Sequence, residues 1–186
     1  VGLAWVAMEH GLLAVCGRDH RCCHVRAAAL NRKIELVVVH CSATKPSMNW
    51  SASDIDRLHR SRGWAKIGYH YVIRLDGELQ RGRLDADIGA HASGFNRHSI
   101  GICLIGGLNE QGAPEDNYTP AQRTMLRALL TVMRNVYPNA IFCGHRDLSP
   151  DKNDNGVIER DEWLKECPCF NVAEWCRLAG IQVAPT

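Results

Sequence analysis

Two histidines and a cysteine stand where an α/β chain brings distant residues together. His40 ends an apolar run, His145 follows a second short apolar stretch in CGHRDLSP, and Cys167 lies in LKECPCF. Strand ends of open α/β sheets converge on one edge, where ligands bind. Two imidazoles and one thiolate make a three-ligand zinc set that leaves the fourth position to water. Spacing alone does not make these residues ligands, because a histidine at a strand end is more often a hydrogen-bonded structural residue. Cys169, two residues after Cys167, is an alternative thiolate. Between the second histidine and the cysteine runs DKNDNGVIERDE, Asp151 to Glu162, which fits the calcium-loop pattern D-x-[DN]-x-[DN]-G-x5-E. In that pattern Asp151, Asn153 and Asn155 supply side-chain oxygens and Gly156 makes the sharp turn. Val157 offers its carbonyl, Glu159 acts through water and Glu162 binds bidentately. The competing reading is a solvated acidic turn. Ser149-Pro150 argues against an entering helix, and the exiting helix, Asp161 to Glu166, is expected to be short. A further cluster, Cys16, His20, Cys22, Cys23 and His24, lacks the C-x2-C spacing of a zinc knuckle.

The elements that must position these residues are legible from pattern. Ile34 to Cys41 is a continuous β-branched run and reads as a buried strand. Ser51 with Asp54, or Ser53 with Asp56, fits a capping box for a short helix that Gly63 stops. His70 to Leu75 and Glu78 to Gly82 flank Asp76-Gly77, a strong hairpin signal. Ser99 to Ile105 reads as another buried strand and Ala140 to Gly144 as the last. Thr119-Pro120 opens an amphipathic helix that runs to Tyr137-Pro138. Asn171 with Glu174 caps a final helix ending at Gly180. The fold expectation is a single α/β domain over 34–180, a mixed central sheet with helices on both faces. It is preceded by a poorly ordered extension over 1–33, carries the calcium-type loop at 151–162, and is followed by a tail over 181–186.

Composition narrows the function classes. Of 186 residues 46% are hydrophobic and 23% charged, which excludes a disordered chain. The 22 basic and 20 acidic residues leave a net charge of +2, giving no electrostatic footprint for direct nucleic-acid binding. No apolar run is long enough to insert in a membrane, and no secretory signal is expected at the N-terminus. Nine cysteines cannot all pair within one chain, so the thiols read as buried residues or metal ligands in a reducing compartment.

The segments VVVHCSATK, RGWAKIGYHYVIRLDGELQRGR, IGAHASGFNRHSIGICLIGG, YTPAQRTMLRALL and CPCF occur in this order. On them, the stretch from Ile34 to about Trp175 resembles the zinc-dependent N-acetylmuramoyl-L-alanine amidases. The likeness is to the short phage lysozymes of amidase type, which are similar in fold to peptidoglycan-recognition proteins. The resemblance implies zinc held by His40, His145 and Cys167, with Tyr69 and Lys165 as the catalytic pair. It implies peptidoglycan as partner, contacted at His91 and Asn96, and hydrolysis of the amide between N-acetylmuramic acid and L-alanine. His70 is expected to be structural. The implied setting is a monomeric phage or prophage endolysin, made in the host cytoplasm and acting on the wall after release. The 151–162 loop departs from the short phage enzymes. Two other readings accompany this one. The first is a non-catalytic peptidoglycan-binding module, against which the presence of Cys167 argues. The second is a regulator of phage RNA polymerase, with the basic Arg18 to Lys33 segment as its arm.

Overall fold

The structure, a computed structural model, describes residues 32–182 and, ahead of them, the backbone of three short strands. These are β1 (Trp5–Glu9), β2 (Leu12–Cys16) and β3 (Cys22–Val25), paired antiparallel in a sheet of their own where the residue pattern suggests no strand. The cysteine and histidine side chains of the 16–24 cluster lie outside the described residues, as do residues 183–186.

The main sheet has five strands, β4 (Leu36–Cys41), β5 (Tyr71–Ile73), β6 (Leu79–Arg81), β7 (Ser99–Leu104) and β8 (Ile141–Gly144). Their order is β6-β5-β7-β4-β8, parallel throughout except for the β5–β6 hairpin. Strand alternation divides the buried side chains between two layers. Val37, Val39, Tyr71, Ile73, Ile100, Ile102 and Leu104 face α2 (Pro120–Val136) and α3 (Val172–Leu178) in the larger core. Val72, Cys103 and Ile105 face α1 (Ala52–Ser61) through Ile55 in a smaller one. Both faces are covered, and the thinner layer over the α1 face leaves room for a cleft.

Each helix starts where its capping residue predicts. Ser51, not Ser53, caps α1, with Asp54 closing the reciprocal bond, and Thr119 does the same for α2 with Gln122. Each such cap stabilises its helix by about 1 kcal/mol. The side chain of Asn171 accepts the Glu174 amide at the start of α3. The domain is wider than 34–180. Ile181 packs in the larger core. Arg32 donates to the carbonyls of Asp85, Asn96, Arg97 and Ser99 at 2.7–3.2 Å, binding two loops beside the sheet. The expected helix over 161–166 is not formed. A single 3-10 turn, Arg160–Glu162, gives way at Trp163 to extended backbone. There the Leu164 amide donates to Ser149 Oγ rather than back into a helix.

Candidate active site

Parallel register brings the two histidines together. Val39 of β4 lies opposite Gly144 of β8, so His40 and His145, each one residue further on, emerge side by side at the sheet edge. Their ring centroids are 4.6 Å apart. Cys167 arrives on a separate segment, pinned by its carbonyl accepting from the Arg146 amide (2.8 Å) and its sulfur from the Cys41 amide (3.2 Å). Gly144 makes that approach possible, because a Cβ there would stand 2.7 Å from Pro168 Cδ. One donor atom from each of His40, His145 and Cys167 lies within 4.8 Å of the others, the one such group of histidine, cysteine or acidic residues among the described residues.

The electrostatics suit a cation. Burial, followed by neighbouring His91 and His145, holds His40 well below its ordinary pKa, and burial lowers His145 as well, followed by the charge of Lys165. Both rings are therefore neutral and offer lone pairs at pH 7. The Cys41 sulfur, accepting from the Cys167 thiol, and burial push the Cys167 thiol up, whereas the Cys41 amide, donating to the Cys167 sulfur, favours the thiolate that metal binding requires. Two imidazoles and one thiolate could hold a metal ion, and zinc is the metal that such a set commonly takes.

The expected catalytic pair reaches the same place. The Tyr69 ring is 5.2 Å from that of His40, and burial, followed by the neighbouring cysteines, raises its pKa well above the ordinary value, so the hydroxyl keeps its proton at neutral pH. Lys165 is exposed and lines the same cleft. That cleft measures about 610 Å³, and Trp50, Trp64, His145 and Cys167 are among the residues that line it. His91 also borders it, but its Nδ1 lies 3.0 Å from Nε2 of His40. Asn96 is not brought to the cleft. Its Oδ1 accepts the amides of His91 and Ala92 at 2.8 and 3.0 Å, shaping the loop rather than facing substrate. His70 is fully buried, and its Nδ1 accepts the Gly101 amide at 2.9 Å.

Sequence reasoning missed His59. With Ile55 it forms the buried face of α1, and its Nδ1 accepts the Gly68 amide at 3.0 Å while its ring lies 4.4 Å from Trp64. The spacing of four between Ile55 and His59 on an amphipathic helix was the available signal.

In the 151–162 loop the expected calcium donors are drawn together by the loop's own amides. Asp151 accepts from Asn155 and Gly156, Asn153 from Asn155, and Asn155 from Val157. The Val157 side chain is exposed. Glu162 is buried and accepts from Lys152 (2.6 Å), Asn153 (3.3 Å) and Glu159 (2.9 Å), bonds that lower its pKa. Gly156 takes the positive φ of +82° that the turn demands.

Comparison with known proteins agrees with this geometry. A family model described as N-acetylmuramoyl-L-alanine amidase matches residues 30–157. It stops short of Lys165 and Cys167, which the fold itself joins to His40 and His145. The endolysin of Enterobacteria phage T3 is 38% identical over 141 residues, covering 76% of this chain and 84% of that protein. The solved structure of the N-acetylmuramoyl-L-alanine amidase LysC from Clostridium intestinale is 30% identical with a TM-score of 0.62, over 83% of this chain and 90% of that one. Bumblebee PGRP-SA, 22% identical with a TM-score of 0.60 over 87% of this chain and 92% of its own, shares the fold. From the matched segment and the phage relative together, the chain belongs to the N-acetylmuramoyl-L-alanine amidase family.

Proposed function

We propose that the chain is a zinc-dependent phage-type endolysin that hydrolyses the amide between N-acetylmuramic acid and L-alanine in peptidoglycan. The observation that carries the zinc assignment is the convergence of donor atoms from His40, His145 and Cys167 within 4.8 Å of one another, with His145 and Cys167 lining the cleft. Zinc bound by these three residues supplies a water whose pKa is lowered toward about 7 and a Lewis acid for the amide carbonyl. The chain's own groups do the remaining work. Tyr69 keeps its proton and donates a hydrogen bond at the reacting centre. Lys165 places an ammonium at the cleft mouth, where it stabilises the oxyanion as the amide carbon becomes tetrahedral. Trp50 and Trp64 give the glycopeptide an apolar surface and shield the reacting atoms from bulk water. The setting that the phage relatives support is synthesis in the host cytoplasm and action on the wall after release.

The test is digestion of purified peptidoglycan by the wild-type chain, with and without a zinc chelator. New L-alanine amino ends, no new reducing ends and loss of both on chelation are expected. New reducing ends would mark a glycosidase, and binding without either end would mark a recognition module.

The 151–162 loop supports a second element of this reading, a calcium ion held by Asp151, Asn153, Asn155, the Val157 carbonyl and Glu162. The supporting observation is the loop's closure on buried Glu162, with Trp163 directly after it stacked 4.0 Å from the Arg146 guanidinium. Arg146 follows His145, so ordering this loop would steady the segment that carries Lys165 and Cys167. Calcium titration of activity, in wild type and in Asp151→Ala/Glu162→Ala, tests it. An identical calcium response in both removes the role.

A further inference from the structure

Ser99, His91 and His40 form an ordered row that ends at the metal centre. His40 Nε2 lies 3.0 Å from His91 Nδ1, and His91 Nε2 lies 3.3 Å from Ser99 Oγ. Ser99 Oγ in turn lies 2.8 Å from the Phe95 carbonyl. A carbonyl only accepts, so the one hydrogen of the Ser99 hydroxyl goes to Phe95. The Ser99 oxygen must then accept from His91, which places the hydrogen of the neutral His91 ring on Nε2. His91 Nδ1 is left as an acceptor, and the neutral His40 ring supplies that bond from Nε2. The lone pair of His40 Nδ1 is what remains.

The row is held from outside. Gly101 lies beneath the His91 ring, and a Cβ there would approach His91 Cδ2 to 2.5 Å. Asn96 grips the His91 backbone, and Arg32 ties down the carbonyls of Asn96, Arg97 and Ser99. His40, His91 and Ser99 are all buried, so water does not compete for these bonds.

We infer that Ser99 and His91 are positioning residues for the metal centre: the row from the Phe95 carbonyl fixes His40 with its hydrogen on Nε2 and directs its Nδ1 lone pair toward His145 and Cys167. The inference rests on the zinc reading for its purpose but not for its geometry. A ligand histidine whose second nitrogen is engaged keeps one tautomer and one ring orientation.

The experiment has two readouts on the full chain. Long-range proton–nitrogen NMR of the metal-free protein identifies the protonated nitrogen of each histidine ring. Hydrogen on Nε2 is expected for both His40 and His91, and hydrogen on Nδ1 of His40 overturns the inference. Zinc affinity is then measured by competition with a chromophoric chelator in wild type, Ser99→Ala and His91→Phe. A 10- to 100-fold rise in Kd is expected for both variants, and unchanged Kd in variants that remain folded overturns it. The two readings fail separately. Wild type that binds no zinc, with His40 protonated on Nε2, sinks the zinc assignment. Wild type that binds zinc with His40 protonated on Nδ1 sinks the row.

Discussion

The edge of the main sheet and the 151–162 loop both gather oxygen, nitrogen or sulfur donors, and they do so by opposite means. At the sheet edge the donors come from positions 40, 145 and 167, and parallel pairing with hydrogen bonds to His91 and from the Cys41 amide fixes them. In the loop they come from one short segment, and most of that segment is exposed and held by its own amides. A site assembled by the fold is as rigid as the core beneath it. A site assembled by a loop is as rigid as its local bonds, and a bound ion has more ordering left to do there.

The largest break in this comparison comes from Cys167→Ala. It removes one of the three proposed zinc ligands, and zinc content and lytic activity should both fall to background, measured by metal analysis and amino-end release. Lys165→Ala leaves the donor set intact. It should cost about 10²–10³-fold in kcat through loss of oxyanion stabilisation, with zinc content unchanged. Loss of zinc in that variant would place Lys165 in a structural role.

Gly144→Ala sharpens the same side. A Cβ 2.7 Å from Pro168 Cδ forces the Cys167 segment away. A loss of about 1–3 kcal/mol in stability is expected from overpacking, together with weaker zinc binding. Denaturant unfolding and chelator competition read the two effects.

Acid should act on the buried histidines. Burial lowers the His70 and His91 pKa values to about 3, below their values in the unfolded chain, and holds His40 low as well. The unfolded chain therefore binds the extra protons, and this stability, complete above about pH 6.5, is lost as pH falls toward 3, at ~1.4 kcal/mol per pH unit for each such histidine. Urea unfolding of the metal-free protein across that range measures the slope. A flat profile would mean that these histidines are charged or exposed in the folded chain. The smallest effect is expected from Asp151→Ala/Glu162→Ala, a less than roughly tenfold fall in activity at saturating calcium, with zinc content unchanged.

Much of the sheet was legible because its signals are local. The β-branched run before His40, the Asp76-Gly77 turn and the capping residues Ser51, Thr119 and Asn171 each specify structure within a few residues. The meeting of His40 with His145 is not local. It depends on the β4–β8 register, and family resemblance rather than spacing pointed to it. Ser99 was invisible as a functional residue because its role lies in the direction of a hydrogen bond to a loop histidine. The backbone role of Asn96 was hidden for a related reason, since its side-chain oxygen accepts the amides of His91 and Ala92, a pairing that only the folded loop creates. The segment after Glu162 failed to form its expected helix because Trp163 and Leu164 bond and stack outward onto Arg146 and Ser149.

The most direct test of the central claim is X-ray absorption at the zinc edge on the purified full chain. We expect about one zinc per chain with one sulfur near ~2.3 Å and two imidazole nitrogens near ~2.0–2.1 Å, the sulfur vanishing together with the metal in Cys167→Ala. A chain that carries no zinc, or zinc with no sulfur neighbour, would contradict the assignment of His40, His145 and Cys167 as the metal centre.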